Sequence, residues 1–261
     1  MAIITLTTDW KSNDFYLGAV KGVILSYMAD ANIVDLNHQI PTFNTSHASF
    51  VLKNSFHYFP KGTVHIVDVN SEASKNIHHI AISYQDHFFI GTDNGGLSLI
   101  FDTPPEKIVQ LDSFENDGCK TFPAISVFAP AAAHLAMQKP IEELGTIIKE
   151  LNTLSQLNPT IDEAIISGTV VFVDSFYNVI TNISRELFDR IGRGRSFEII
   201  AQSNRYRIKK INQTYNETLS GELLAIFNSA NLLELAINKG NIVELLGLGL
   251  NSTIRIKFSE I

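Results

Sequence analysis

The feature that most constrains this chain is a change of hydrophobic period part-way along it. Up to about residue 150, β-branched runs that alternate every second residue take turns with stretches whose apolar residues recur every three or four; beyond that point the two-residue period dominates. A two-residue period lines one face of a strand and a 3.6-residue period one face of a helix, so the two textures call for different layer architectures. The reading is an α/β N-terminal domain over residues 1–150, a polar linker over 151–164 (LNTLSQLNPTIDEA), and a smaller all-β, barrel-like C-terminal domain over 165–261. A chain of 261 residues is long enough to bury a core in each.

Within the first part, AIITLTT reads as a strand. GAVKGVILSYM follows as a helix with Val20, Val23, Ile24 and Tyr27 on one side, and ANIVDLNH returns to strand. SHASFVLKNSFHYF places Ala48, Val51, Leu52 and Phe56 on one helical face and is stopped by Pro60 and Gly62, after which TVHIVDVN is a short apolar strand. HIAISY and HFFIGT pair across Gln85 and Asp86. Asn94-Gly95-Gly96 is a turn, and FAPAAAHLAM begins a helix with Pro130 in its first turn. This alternation predicts a mostly parallel sheet covered on both faces, with polar residues at the strand C-termini. In the second part GTVVFVDSF, NVITNI, SFEIIA, RYRIKKI, ELLAIFN, NIVELL and TIRIKF are the predicted strands, interrupted by one short helix, LLELAINKG.

Several function classes drop out on composition. The formal charge is −7 without a basic cluster, which argues against nucleic acid as a partner, and RYRIKK at 205–210 reads as the solvated face of a hairpin. The single cysteine, Cys119, cannot form an internal bridge and fits a reducing compartment. MAIITLTTDWK lacks the basic and long apolar regions of an export signal, and no 18-residue apolar run occurs, so a cytoplasmic protein without a membrane span is expected.

Acids recur where predicted strands end: Asp9 and Asp14, Asp35 with Asn37 and His38, Asp68 with Asn70, and Asp93 with Asn94. Any one of them alone is accounted for as a helix N-cap or an Asx-turn. Together they point to a shared crevice, because residues leaving the C-terminal ends of neighbouring strands converge there. A carboxylate accepts two hydrogen bonds from a vicinal diol and also pairs with a cation, so a ligand carrying ribose plus a positive charge would use both properties. No Cys/His ligand pattern, glycine-rich dinucleotide fingerprint, phosphate loop or nucleophile elbow is present, and neither a metal nor a cofactor is expected.

TTDWKSNDFYLGAVKGVI, IVDLNHQIP, YFPKGTVHIVDV, FIGTDNGGLSL, FAPAAAHLA, VDSFYNVITNI and ELAINKGN resemble, in order and spacing, the adenosine-forming S-adenosylmethionine hydrolases, the S-adenosylmethionine hydroxide adenosyltransferase family related to the fluorinating and chlorinating adenosyl enzymes. The resemblance implies a homotrimer that holds S-adenosylmethionine, as substrate or ligand, between one subunit's N-domain and its neighbour's C-domain. It implies that Asp9 chelates the ribose diol and that Asp14 sits near the methionine end. Asp174 and Asn178 would engage the methionine amine and the adenine region, Phe176 would pack on the purine, and Asn238 would lie in the helix-loop along the adenine edge.

The same resemblance implies water activation by an Asp, an Arg and a His, with attack at ribose C5′ expelling methionine. The Asp matches Asp68. The family's D-P-G-V-G-T-x-R-R run is DVNSEASKN here, which puts Lys75 and Asn76 at the two Arg positions, and T-F-H-G-R-D is TFPAIS, which puts Pro123 at the His position. Proline's side chain neither donates nor accepts, and lysine keeps the charge but not the planar fork. Lys75 is therefore read as electrostatic support for Asp68. His78 and His79 lie just beyond the altered run as possible replacements, at most one of them facing the site if they occupy a regular strand. A homologue that binds the adenosyl ligand without turnover, and an enzyme with another nucleoside substrate, are the competing expectations. Halogenation is disfavoured because the short 70–95 connection leaves no room for the extra loop of the halogenating members.

Overall fold

The computed structural model describes residues 2–112, 121–201 and 206–259. Cys119 and Arg205 lie outside the described residues. The chain divides into two compact units, Met1–Ser155 and Gln156–Ile261.

The first unit runs β1 (Ile3–Thr8), α1 (Phe15–Tyr27), β2 (Asn32–Asn37), α2 (Thr45–Lys53), β3 (Val64–Asp68), β4 (His79–Tyr84), β5 (His87–Thr92), β6 (Lys107–Gln110), α3 (Ala129–Ala136) and β7 (Thr146–Ile148). The strands form one sheet in the order β2-β1-β3-β5-β4-β6-β7. Side chains alternate across it. Ile4, Leu6, Val64, Ile66, Ala81 and Ile90 pack with α1 and α3 residues such as Val20, Ile24 and Ala132. Val67, Ile80, Ile82 and Phe89 face the opposite way, onto Ala48, Leu52 and Phe56 of α2 and the turn after it. The predicted helical faces are those the core uses, except that Tyr27 is exposed at the end of α1.

The expectation of a mostly parallel sheet is corrected: the sheet is mixed. β2, β1, β3 and β5 are parallel neighbours, whereas β4 pairs antiparallel with β5 and β6, and β6 with β7. The reason is local. Gln85 and Asp86 both adopt positive φ (50° and 63°), making a two-residue turn that returns the chain alongside itself, where a parallel pair would need a helical crossover. β3 and β5 also approach closely. A Cβ on Gly91 would stand 2.9 Å from the Val67 carbonyl oxygen, so the absence of a side chain permits the contact.

The second unit comprises β8 (Thr160–Asp162), β9 (Ile165–Val173), β10 (Val179–Ser184), α4 (Arg185–Gly192), β11 (Phe197–Ala201), β12 (Arg207–Ile208), β13 (Leu223–Phe227), β14 (Leu232–Ile237), α5 (Ile242–Leu246) and β15 (Thr253–Phe258). Its antiparallel sheet follows β12-β11-β15-β9-β10-β14-β13, with β8 on β9, and a bridge between Asn212 and Ile226 brings its two ends together into a barrel-like form. β9 serves both halves: Ile165–Thr169 pairs with β15, and Val170 onward with β10. Gly168 lies near that changeover, where a Cβ would fall 2.4 Å from Ile183 Cγ1. Of RYRIKK, Arg207 and Ile208 form β12, antiparallel to β11, and Arg207 and Lys209 both pair with Glu198.

Two segments exchange the roles expected of them. LLELAI is strand β14, buried along most of its length, not a helix, and NIVELL is not a strand but helix α5 with Asn241 capping the Glu244 N–H. Both are short and apolar, and period alone does not separate strand from helix at that length. Helix α4 was not foreseen; its signal is Ser184, whose hydroxyl accepts from the Leu187 N–H. Residues 160–162 of the segment read as linker form β8, and Asn152 is fastened to Asp93 in the first unit. Among the described residues no helix is long and apolar enough to cross a membrane.

Candidate functional site

β1 and β3 lie side by side in parallel with Thr8 opposite Asp68, so Asp9 and Asp68 leave the sheet at the same end. Asp68 is 2 % exposed and its Oδ2 has no hydrogen-bond partner. Burial pushes its pKa up to about 7, with the charge of Asp9 adding to the rise and side-chain hydrogen bonds from Ser71 and Trp10 opposing it. A buried carboxyl that titrates near neutrality, with one oxygen unspoken for, has the properties of a general base.

Asp9 is half-buried, and its Oδ2 accepts from the Phe43 N–H at 2.8 Å. Phe43 itself was not singled out from the sequence. It has φ +62°, a region bulky residues rarely enter, and 69 % of its surface is exposed, so the backbone is held in a costly conformation that leaves the side chain open to solvent. Its signal was the tight QIPTFN connection before Asn44, which caps α2 through the His47 N–H. Thr8 and His38 meet below the acids (Oγ1 to Nδ1, 2.7 Å); His38 Nε2 is 3.2 Å from Asp35, which also pairs with Lys21. Trp10 stacks on His38 and meets Phe122 edge-on, and Tyr16 packs on Phe122, giving the strand ends an aromatic flank.

Asp14 is exposed just ahead of α1. It accepts from the Lys11 N–H at 3.2 Å and makes no side-chain cap to the helix. Pro123 is buried and opens a π-helical turn, Ala124–Phe128, that runs into α3. Turns of that kind are frequent at functional sites. His134 on α3 bonds the Pro140 carbonyl (2.9 Å), a structural use.

The altered run after β3 is held carbonyl by carbonyl. Asn70 takes φ +51°, which asparagine tolerates better than most residues. Asn94 Nδ2 donates to the carbonyls of Val69 and Asn70, while Thr92 Oγ1 (2.9 Å) and His79 Nε2 (3.0 Å) both reach that of Ser71. Lys75 and Asn76 are the central pair of a tight turn closed by Ser74 and Ile77. Lys75 is exposed at its tip and is not among the groups acting on Asp68. His78 is half-buried and acts electrostatically on Asp93, whose carboxylate is engaged by Asn152.

In the second unit Asp174, Phe176 and Asn178 come together at the β9–β10 hairpin. Asp174 Oδ1 accepts from the N–H groups of Phe176 (2.9 Å) and Asn178 (2.8 Å), Oδ2 accepts from Asn178 Nδ2 (3.1 Å), and Tyr177 takes φ +63°. The Phe176 ring is 75 % exposed. Asn238 follows strand β14 and not a helix; it is buried, with Nδ2 donating to the Thr218 carbonyl at 2.6 Å. Sequence reasoning missed Glu234, 3 % exposed, whose carboxylate accepts from Tyr215 Oη (2.5 Å) and Asn228 Nδ2 (3.2 Å). Burial raises its pKa, with Asp174 adding to the rise; burial also raises that of the Tyr215 hydroxyl, with Glu234 and Asp174 adding to it. The signal was an acid inside LLELAI, hidden by the helical reading of that segment.

Residues 4–145 match the model of the S-adenosylmethionine hydroxide adenosyltransferase N-terminal domain, and residues 168–255 that of the corresponding C-terminal domain. An (R)-S-adenosyl-L-methionine hydrolase of Thermus thermophilus is 29% identical over 98% of this chain and 100% of its own length. One from Methanocaldococcus jannaschii is 31% identical over 70% of this chain and 68% of its own. A fluorinase of Actinoplanes is 22% identical over 74% of this chain and 75% of its own. A crystal structure of an uncharacterized conserved protein from Thermotoga maritima superposes with a TM-score of 0.88 at 29% identity, covering 97% of this chain and 99% of that one.

Proposed function

Because the chain belongs to the S-adenosylmethionine hydroxide adenosyltransferase family, we propose that it hydrolyses S-adenosylmethionine to adenosine and methionine. The observation that carries this reading is the pairing of Asp9 and Asp68 at the ends of β1 and β3, with Asp68 buried and its Oδ2 free.

The reaction forms an O–C5′ bond and breaks the C5′–S bond, whose electron pair returns to sulfur; the water proton is lost. Asp68 is the group that would take that proton, since a pKa of about 7 leaves a large fraction of it ionised at neutral pH. Asp9 would hold the ribose hydroxyls, placed by the Phe43 N–H, while the Phe43 ring offers an apolar face to the nucleoside. In the second unit the exposed Phe176 ring is read as a purine contact, and the negative cluster of Asp174 and Glu234 as a site favouring a cationic ligand over a neutral one. Asp14, Asn178 and Asn238 are read as supports of the same ligand. In this reading those C-terminal residues complete the pocket of a neighbouring subunit in a homotrimer, which sedimentation at several concentrations tests.

The substituents at the two other catalytic positions bear on rate. With Pro123 buried and Lys75 at an exposed turn tip, neither reinforces Asp68, and general acid–base assistance is worth about 10²- to 10⁴-fold. A sulfonium is a good leaving group, so positioned water and one base sustain a slow hydrolase. A protein that binds without turnover is the second reading, favoured by that same loss. Incubation with S-adenosylmethionine in ¹⁸O-water separates them: hydrolysis puts the label in the adenosine 5′-hydroxyl. Binding by calorimetry without adenosine selects the second reading, and absence of binding refutes both.

A further inference from the structure

Asp9 lies between two residues that are tied to each other. The Thr8 hydroxyl, fully buried at the end of β1, donates to the Trp10 carbonyl at 3.2 Å, so a side chain on one side of Asp9 closes on the backbone of the other. A hydroxyl carries one hydrogen. The 2.7 Å contact between Thr8 Oγ1 and His38 Nδ1 therefore takes its hydrogen from the imidazole, and His38 is the donor. The same ring stacks on the Trp10 indole, with centroids 6.2 Å apart and planes at 28°. His38 is 7 % exposed, and Asp35 Oδ1 backs it, 3.2 Å from Nε2 though not aligned as a hydrogen bond. Asp35 is paired in turn with Lys21 of α1.

We propose that His38 is a positioning residue for Asp9: by donating to the Thr8 hydroxyl it locks the Thr8–Trp10 closure that fixes the backbone on both sides of the acid. A hydroxyl turns freely to suit its neighbours, and the Nδ1 donor occupies the lone-pair side of Thr8 Oγ1, which leaves the hydrogen aimed at the Trp10 carbonyl. The Phe43 N–H holds Asp9 by one oxygen alone, Oδ2. One hydrogen bond lets a carboxylate pivot about the contact, whereas gripping a vicinal diol takes two oxygens in a fixed orientation. With residues 8 and 10 closed on each other, the backbone under Asp9 cannot follow that pivot. The consequence for affinity rests on the hydrolase reading of the site; the geometry does not.

A double-mutant cycle on the full-length protein tests this, with S-adenosylmethionine affinity read by calorimetry. His38→Ala should raise Kd about 3- to 10-fold, the scale of one neutral hydrogen bond. In an Asp9→Asn background the same change should move Kd by less than about twofold, because a residue that acts through Asp9 then has nothing left to position. In turnover the loss should fall on KM and leave kcat within about twofold, since Asp9 grips the ribose alike before and during reaction. His38→Asn, whose amide N–H takes the Nδ1 position, should recover most of the affinity; His38→Phe keeps a ring against Trp10 without the donor and should bind like His38→Ala. Thr8→Val has the same shape and no hydroxyl, and should repeat the loss and its cancellation even if His38→Ala does not fold. Losses that add in the cycle, wild-type Kd in a folded His38→Ala or Thr8→Val, or recovery by His38→Phe and not by His38→Asn overturn the proposal. A wild type that binds no S-adenosylmethionine defeats the hydrolase reading instead. The carbon NMR signal of the Asp9 carboxyl, identified with Asp9→Asn, then decides the role of His38: displaced in His38→Ala and restored in His38→Asn if the closure holds Asp9, unmoved if it does not.

Discussion

Replacing Asp68 with asparagine tests whether this protein carries a stability cost at the carboxyl proposed as its base. Burial lifts the Asp68 pKa from 3.8 to about 7, so between those values an unfolded chain has released a proton that the folded chain still holds. A raised folded-state pKa contributes stability that is complete below pH 3.8 and is lost as pH rises through 7. About three pH units at 1.36 kcal/mol each set the loss at about 4 kcal/mol on the alkaline side. Asparagine has nearly the same shape and no charge to desolvate. Urea unfolding of the two proteins at pH 4, 5.5, 7 and 8.5 should show Asp68→Asn gaining on wild type as pH rises, the gap opening through pH 4–7 and levelling above it. Titrating groups that do not act on Asp68 are common to both proteins and cancel; Asp9, whose charge adds to the rise, is the one coupled group among the causes of the shift. A gap that is flat across this range, or that closes as pH rises, would refute the assignment of a buried, elevated carboxyl.

Four further outcomes are expected. Asp9→Asn should weaken S-adenosylmethionine binding about 10- to 100-fold by calorimetry, the scale of hydrogen bonds to a charged group, with little change in melting temperature. His65, buried against Thr5 and His87, has its pKa pushed by burial to about 3, so its contribution is complete above pH 6.5 and is lost as pH falls towards 3; the stability of His65→Leu should depend less on pH between 6.5 and 4 in urea titrations. Asp174→Asn should keep the hairpin, because an amide oxygen still accepts from Phe176 and Asn178, but lose affinity for the cation, whereas Asp174→Ala should lose both by circular dichroism and calorimetry. Gly91→Ala should lower stability by about 1–3 kcal/mol in thermal melts, since its Cβ would meet backbone at Val67.

The first half of the fold was legible because its signals are local. Alternation in AIITLTT, helical spacing through Val20 and Ile24, and the Gln85-Asp86 turn each depend on a few neighbouring residues. Sheet order was not legible: the antiparallel β4–β6–β7 edge depends on which strand edge is open after the hairpin forms, a long-range matter. LLELAI and NIVELL take forms opposite to those their sequences suggest because a six-residue apolar run fits either period, and barrel pairing of Glu234 with Ile180 and Ile226 decides the first.

Of the candidate site, the sequence by itself determined which chemical groups are present: acids at strand ends, a lysine in the run after β3, a proline ahead of FAPAAAHLA, and the two-part architecture that carries them. Those follow from side-chain identity and short-range period. Only the tertiary structure decided what each group does. Desolvation, proximity and hydrogen bonding vary with position and not with residue type, so Asp68 is raised towards neutrality, Asp93 is tied to Asn152, Asp14 is left exposed, and His79 rather than Lys75 is turned to the loop beside Asp68.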